Sequence, residues 1–446
     1  VEASGSVSTS SALLTDLRKG LREDQLRVDS ASLSSYALGN LLPQVVVSPE
    51  TVNQVPDILR VANEHHASVV LRGAGTYINH GNPPRSMQVV VDMTRLDKLI
   101  AHDVDNFSVT VQAGMRLGQL QQVLKGHNQF LSLDPPGDAT ATFGGIAAAN
   151  VAGPWKLAFG SARDLVLGMK LALADGRLVS FGGKTMKNVA GYDVGKLLIG
   201  SQGTLGAICE LTFRLYSLPE ETRSMLLPAP GAAEAFSLAH KALSWSPSAA
   251  LVLSPAAAKL LRDTIGTAFP EDDWLVAVDL MGDKAPLVRQ QQEIAAGCGK
   301  AAALEGEARQ MLWEHIRMLL LPKQSQSVVG RAGLPLSATE KFVDCRQENT
   351  ARLNPADYLI ACPGTGRVWV QFNTDDLQIA MQVVNSLRAS AQALEGHFML
   401  EAAPEDWQSQ LPMSAEAPAH ISVLQAIKRA FDPAGILSPG RFLEEV

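Results

Sequence analysis

Apolar residues recur along this chain with two periods, and the switches between them mark its elements. Residues 11–23, SALLTDLRKGLRE, repeat with a helical period behind a Ser/Thr-rich start. Residues 44–75, QVVVSPETVNQVPDILRVANEHHASVVLRGAG, predict strand, capped helix and strand. Ser48 ahead of Pro49 and Glu50 is the helix-start signal, and Val55, Ile58, Leu59 and Ala62 form the apolar face. Strands follow at MQVVVDM and FSVTVQAG, a helix at LGQLQQVLKG, and a hairpin at VLGMKLALADGRLVSF turning on Asp175-Gly176. After LTFRLYSLPEE the character changes. Ala-rich helical runs (AAEAFSLAHKAL, LVRQQQEIAAG, LQIAMQVVNSLRASAQAL) alternate with the strand-like AALVLS, WLVAVDLMG and VWVQF. This alternation predicts an antiparallel sheet covered by helices on one face. EAAPEDWQSQLPMSAEAPAH reads as a connector, and a last helix, VLQAIKRAFD, runs into PAGILSPGRF. No repeat of 20 to 50 residues is evident.

The length of 446 residues implies two or three domains, and 46% hydrophobic with 19% charged residues is a globular composition. A net charge of -7 without a Lys/Arg cluster argues against nucleic acid as a partner. No apolar run reaches the roughly 18 residues that a membrane span needs, and the opening VEASGSVSTSS reads as a loose polar tail, neither signal peptide nor anchor. The four cysteines, Cys209, Cys298, Cys345 and Cys362, are too scattered for an iron–sulfur or zinc motif. They read as buried thiols in a reducing, cytoplasmic setting.

Glycines then change the picture. RGAGTYINHG, residues 72–81, follows a strand directly and holds three of them. It fits a tight turn, or a nest of backbone N–H groups facing an anion. A second cluster, PPGDATATFGGIAAANVAG over residues 135–153, places a turn and two threonine hydroxyls before a helix of very small residues. Such a helix start favours phosphate, and close packing on a sheet explains the alanines equally well. A third runs on from Gly160 through Lys187-Asn188, Ala190-Gly191-Tyr192-Asp193 and Gly200-Ser201-Gln202-Gly203-Thr204-Leu205-Gly206. A flat cofactor with a diphosphate tail needs such backbone-lined contacts from several segments.

Taken together, RGAGT…G, PGD.T.TFGG…AN..G and GS.RD.VLG…ADGR.V..GG…KNVAGYD…L.IGS.GTLG resemble the FAD-binding domain of the vanillyl-alcohol-oxidase superfamily, the PCMH type, over about residues 40–217. No βαβ unit with an acidic residue about 20 positions on accompanies them, so a Rossmann site is not expected. FDPAGILSPGRF, residues 431–442, is similar to the C-terminal signature of the glycolate- and D-lactate-oxidising branch. The resemblance implies an α+β fold: a PCMH-type FAD-binding domain of two α/β subdomains, with a cap domain of antiparallel sheet and helices. It places an N-terminal tail and helix at 1–39, the FAD domain at 40–217, the cap at 218–400, and a connector with a C-terminal segment returning to the FAD domain at 401–446.

By the same resemblance, Gly73, Ala74, Gly75 and Thr76 wrap the FAD diphosphate with backbone amides, Arg72 flanks them and Gly81 closes the loop. Pro136, Gly137, Thr140, Thr142, Gly144, Gly145, Asn150 and Gly153 line the diphosphate and flavin. Ser161, Arg163 and Asp164 pack the cofactor's other side, and Gly203 and Ile208 touch the adenine or ribose. Thr76 stands where members with covalent flavin often carry His, which implies dissociable FAD, and His80 reads as a polar loop residue.

Oxidation of a 2-hydroxy acid needs a base for the hydroxyl proton and a cation for the carboxylate. The catalytic branch resembled here carries an HxxGDGNLH metal motif and a glutamate–histidine pair, and this chain has neither among its nine histidines. No metal site is expected. The departure points to the flavin-binding E subunits of bacterial glycolate oxidase, which work beside a catalytic FAD subunit and an iron–sulfur subunit. The expected role is then that of an accessory subunit passing electrons from 2-hydroxy acid oxidation, cytoplasmic or peripheral to the inner membrane through its partners. Two rivals stand: a self-sufficient FAD oxidoreductase using Arg and Tyr side chains of the cap, and a subunit whose FAD is structural. For catalysis the sequence offers only weak candidates. Arg317 lies on the amphipathic ARQMLWEHIRMLLLP, and Arg441 lies near the terminus, where a surface charge is an equal reading.

Overall fold

The valines of QVVV and MQVVVDM settle in one small sheet, because β-branched side chains suit a pleated surface covered on both faces. A computed structural model of the chain describes residues 4–183, 193–265, 270, 272–299, 301–321, 327–349, 357–407, 410–411 and 421–442. Its first part runs α1 (Ser4–Gly20), β1 (Leu26–Arg27), α2 (Ser30–Ser34), β2 (Val45–Val47), α3 (Gln54–Glu64), β3 (Val69–Arg72) and β4 (Val89–Asp92). The strands lie in the order β1-β2-β4-β3, with β2, β4 and β3 parallel. Alternation divides the valines. Val45, Val47, Val69, Val89 and Val91 meet Leu13 and Leu17 of α1 and Ile58 and Leu59 of α3, while Val46, Val70 and Val90 face Leu38 and Met87.

The helix expected from Ser48 begins later, at Gln54. The Gln54 Oε1 accepts from the N–H groups of Glu50 and Thr51, at 2.8 and 3.2 Å, so the Ser-Pro-Glu signal is spent on a bent turn ahead of the helix.

A second sheet follows from β5 (Leu99–Asp103), β6 (Ser108–Gln112), α4 (Leu117–Lys125), β7 (Gln129–Phe130), α5 (Phe143–Ala149), α6 (Lys156–Phe159), α7 (Ala162–Leu165), β8 (Val166–Ala172), β9 (Leu178–Gly182), α8 (Gly195–Leu198), β10 (Ala207–Arg214) and β11 (Tyr216–Ser217). Five strands, β5-β6-β10-β8-β9, pair antiparallel, and β8 turns into β9 at Gly176, whose φ of +85° only glycine adopts without strain. Val109, Val111, Leu211 and Phe213 bury one face against Leu120 of α4 and Phe143 of α5.

The third unit comprises β12 (Glu221–Ala229), α9 (Ala232–Leu243), β13 (Ala249–Leu253), α10 (Pro255–Ile265), β14 (Trp274–Gly282), α11 (Lys284–Cys298), β15 (Ala302–Leu304), α12 (Gly306–Leu319), β16 (Ser327–Gly333), α13 (Thr339–Asn349), β17 (Tyr358–Cys362), β18 (Arg367–Asn373), α14 (Leu377–Ala393) and β19 (His397–Ala402). Its eight strands pair antiparallel in the order β15-β12-β14-β13-β17-β18-β16-β19. Helices cover both faces, not one. Phe236 of α9, Ile294 of α11, Phe342 of α13 and Val384 of α14 pack one side, and Leu261 of α10 with Trp313 and Ile316 of α12 pack the other. The central strands β13 and β17 are buried at every residue, so each face requires a cover. Of β18, β16 and β19 the second cover reaches Trp369 alone, and the rest of that face meets loops of the first two units.

After α15 (Ile421–Phe431) the chain returns to the first sheet. Val69 N–H donates to Ile436 O and Ser438 N–H to Val69 O, both at 2.8 Å, which closes the free edge of β3. Lys428 Nζ locks the return by donating to Thr204 O, Leu437 O and Asp432 at 2.7–2.8 Å.

Candidate functional site

Where β3 ends, residues 72–81 turn over a cleft between the first two sheets. Arg72 at the end of β3 and Gly73, Ala74, Gly75 and Thr76 of the loop line it, with Thr142, Gly144 and Gly145 at the start of α5, Gly203 ahead of β10 and Ile208 on it. The N–H groups of Gly73, Ala74, Gly75 and Thr76 donate to no protein acceptor among the described residues. Gly75 holds φ at +85°, and a Cβ at Gly73 would collide with the Thr142 hydroxyl. A backbone-only wall with idle donors suits a diphosphate. The start of α5 offers less than the sequence suggested: Phe143 N–H is bound by Met115 O and Gly144 N–H by Ala113 O, leaving the N–H of Gly145.

A second cavity opens between the loops of this half and the open part of the large sheet's face. Gly81, Pro136 and Asn150 line it, and it shares His80, Ala149 and Gln202 with the first cleft, so the two adjoin. Its far wall is made by strand alternation. Arg331 on β16 is opposite Trp369 on β18 and Met399 on β19; on the same face Arg367 lies two residues to one side, opposite Gly333, and Glu401 two residues to the other, beside Val329 and Gly330. Residues between them, such as Val368, Val370 and Phe398, point into the opposite core.

The cavity is cationic and short of counter-charge. Arg331 Nε donates to Glu401 Oε1 at 2.7 Å, and Arg367 Nη1 donates to Ala152 O at 2.9 Å. Diagonal partners on neighbouring strands stand roughly 7–8 Å apart, so the two guanidinium groups repel. Burial, and then Arg331, push the Arg367 guanidinium down to about 10. Lys156 on α6, which packs against the turn leading into β18, is lowered by burial and by both arginines. Burial alone would raise the Glu401 carboxyl, but Arg331 beside it holds it below the usual range. Four buried polar atoms lining the cavity have no partner among the described residues: His80 Nε2, Asn150 Oδ1, Gln202 Oε1 and Glu401 Oε2. Asn150 and Gln202 sit in the left-handed region, φ +49° and +54°, which places two strained residues at this wall. Idle amides at the cleft and orphaned acceptors at its mouth fit a large, polar, hydrogen-bonding cofactor.

Other expected residues fall elsewhere. Gly137 and Gly153 lie at the rim; Gly137 N–H donates to Arg317 O, and Gly153 packs on Asp134 O. Thr140 is exposed and bound to Asp138. Ser161 and Asp164 bond to each other at 2.8 and 2.9 Å, and Arg163 reaches Lys196 O. Lys187-Asn188 and Ala190-Gly191-Tyr192 lie outside the described residues. Arg317 lines neither cavity and faces Asp134 across the junction. Arg441 is no surface charge: only 5% exposed, it lines the FAD-type cleft and braces the loop through Ile78 O and His80 O. His80, expected as a polar loop residue, is 8% exposed because the 76–80 turn folds it against Tyr77. Sequence reasoning missed Arg331, Arg367 and Glu401. The signal was the alternation in VVGRAG, GRVWVQF and HFMLEA, which sets one charged residue among apolar ones on a single face.

A family model described as an FAD binding domain matches residues 43–182, and one described as the C-terminal domain of FAD linked oxidases matches residues 410–442. The crystal structure of p-cresol methylhydroxylase with substrate bound superposes with a TM-score of 0.78 at 18% identity, covering 98% of this chain and 97% of that one. The fold is therefore that of the PCMH-type FAD-binding proteins, an α+β architecture with an antiparallel-sheet domain. Glycolate oxidase subunit GlcD of Bacillus subtilis is 25% identical over 420 residues, 90% of this chain and 89% of its own. D-lactate dehydrogenase of Archaeoglobus fulgidus is 38% identical over 187 residues, 42% of each chain. The protein is an FAD-linked oxidoreductase, a flavoprotein.

Proposed function

We propose that the protein oxidises a small 2-hydroxy acid at a dissociable FAD. One observation carries the reading: Arg331, paired with Glu401, and Arg367, whose side chain binds only the Ala152 carbonyl among the described residues, both line a cavity that adjoins the FAD-type cleft. Buried like charges side by side are costly unless an anion joins them, and a substrate carboxylate is that anion. Glycolate, D-lactate and D-2-hydroxyglutarate, named in the relatives, all carry one beside the carbinol carbon.

In this reading residues 40–217 with the returning segment of 401–446 hold FAD, and 218–400 supply the cap. The amides of Gly73, Ala74, Gly75 and Thr76 hold the diphosphate beside Arg72 and Gly81. Pro136, Thr142, Gly144, Gly145 and Asn150 line the diphosphate and flavin, Gly203 and Ile208 the adenosine end. Thr76 offers no imidazole for a covalent link. FAD, when bound, supplies the two-electron acceptor. The chain's own groups neutralise the carboxylate, orient the carbinol C–H bond and keep water from the second cavity.

The name of one relative, glycolate oxidase subunit GlcD, supports a place in a complex. A catalytic FAD subunit and an iron–sulfur subunit as its partners, and a membrane surface reached through them, are part of this proposal; no described helix is long and apolar enough to cross a membrane. A second reading, electron relay beside a separate catalytic subunit, is favoured by the missing HxxGDGNLH motif. The test is to titrate the FAD-loaded protein anaerobically with glycolate and with uncharged ethylene glycol, following the flavin spectrum. A saturable change with glycolate alone supports the carboxylate site. Equal responses, or none to glycolate, refute it.

A further inference from the structure

We propose that His80 is the group that takes the proton of the substrate hydroxyl, and that Glu401 steadies the imidazolium so formed. The proposal rests on the reading of the interdomain cavity as the seat of a 2-hydroxy acid.

His80 stands where the two cavities join and lines both. Its backbone is fixed twice, by its N–H donating to Tyr77 O at 3.0 Å and by its carbonyl accepting from Arg441 Nη2 at 2.8 Å. Its ring sits edge-on to Tyr77 at 5.6 Å, and the Tyr77 hydroxyl is itself tied to Pro136 O at 2.8 Å. The imidazole is therefore held in one place, 8% exposed, with an Nε2 that meets no protein partner among the described residues. A buried nitrogen left idle in an otherwise braced residue is a group waiting for a ligand.

Three charged groups act on this ring: Glu401 across the cavity, Arg331 bound to Glu401, and Arg441 behind the loop. Burial lowers the imidazole below its ordinary value of 6.5, the two arginines add to this, and Glu401 opposes them. At neutral pH the ring is uncharged and can accept a proton. Arg331 beside Glu401 favours its charged form, and its idle Oε2 is free to meet the positive charge once the ring has gained it.

The step balances. The O–H bond breaks and an N–H bond forms at His80; the oxygen's electron pair closes the keto C=O as the carbinol hydrogen leaves with its own pair to the FAD. The product is a 2-keto acid, and the proton on His80 returns to solvent.

The test uses the FAD-loaded wild type with His80→Asn and His80→Gln. It reads anaerobic flavin reduction by glycolate or D-lactate across pH, together with binding of oxalate, a carboxylate that cannot be oxidised this way. The proposal expects both variants to bind oxalate within about threefold of wild type and to reduce about 10²–10⁴-fold more slowly. It further expects the wild-type rate to fall as pH drops through a value below 6.5, and that limb to vanish in the variants. Reduction within tenfold of wild type with the limb intact would overturn the role of His80 and leave the proposed function standing. Should either variant lose FAD, NMR titration of the wild-type ring decides: a His80 that stays protonated above neutral pH cannot accept the proton. A wild type that neither binds oxalate nor is reduced removes the proposed function itself, and the role of His80 with it.

Discussion

Gly73 and Thr142 stand so close that no side chain fits between them, and the idle amides of residues 73–76 line the same gap. Gly73→Val is therefore expected to lose FAD on purification, read as the ratio of flavin to protein absorbance. Stoichiometric flavin in that variant would misplace the diphosphate. Asp134, at the junction of the two halves, makes a second residue-scale case. Buried to 6% exposure, its carboxyl is pushed up to about 8, chiefly by desolvation, while Trp155 N–H at 2.7 Å and Arg317 pull the other way. Its folded value exceeds the unfolded 3.8, so the folded state holds the extra proton between them and stability falls as pH rises through that window. Asp134→Asn removes the titration and should raise Tm more at pH 8–9 than at pH 5. An equal gain at both would refute the assignment.

At the scale of elements, strand alternation decides what the sequence disclosed. The glycine loop was legible because each contact lies within one short segment and glycine has few other reasons to cluster there. The proposed carboxylate site was not, because Arg331, Arg367 and Glu401 come from three strands whose neighbours are fixed only by the order β18-β16-β19. A one-residue slip of any of these strands would turn its charged residue into the apolar core. The two-sided helical cover was likewise hidden, although the unbroken runs AALVL and YLIAC carried its signal. Removing the Arg367 charge with Arg367→Ala should weaken glycolate binding by about 10–100-fold, the range of hydrogen bonds to charged groups, with FAD content unchanged. An unaltered affinity would place the carboxylate elsewhere. The returning segment makes its own prediction. Asp432 takes Lys428 Nζ and the N–H groups of Ile436 and Leu437 in a buried cluster. Asp432→Ala leaves the Lys428 charge unpaired and should cost about 3–5 kcal/mol in urea unfolding. A loss under about 1 kcal/mol would show the segment to be held by its apolar contacts alone.

The whole molecule joins two chemistries at one seam. One half lines its cleft with idle backbone amides, and the other lines the adjoining cavity with Arg331 and Arg367. Both ends of the chain meet in the first half, where α1 packs on α3 and residues 436–438 extend the sheet at β3. The cap closes over it through Trp155 Nε1 on Asp279 at 3.0 Å and Arg367 on Ala152 O. In the proposed function turnover proceeds within this chain, and partners serve to carry electrons away. The most direct measurement is to mix the purified FAD-loaded chain, anaerobically and without partners, with glycolate or D-lactate and to follow the visible band of oxidised flavin. The account predicts that the band bleaches with the chain alone. A flavin that stays oxidised until a catalytic subunit is added would contradict it and make this protein an electron relay.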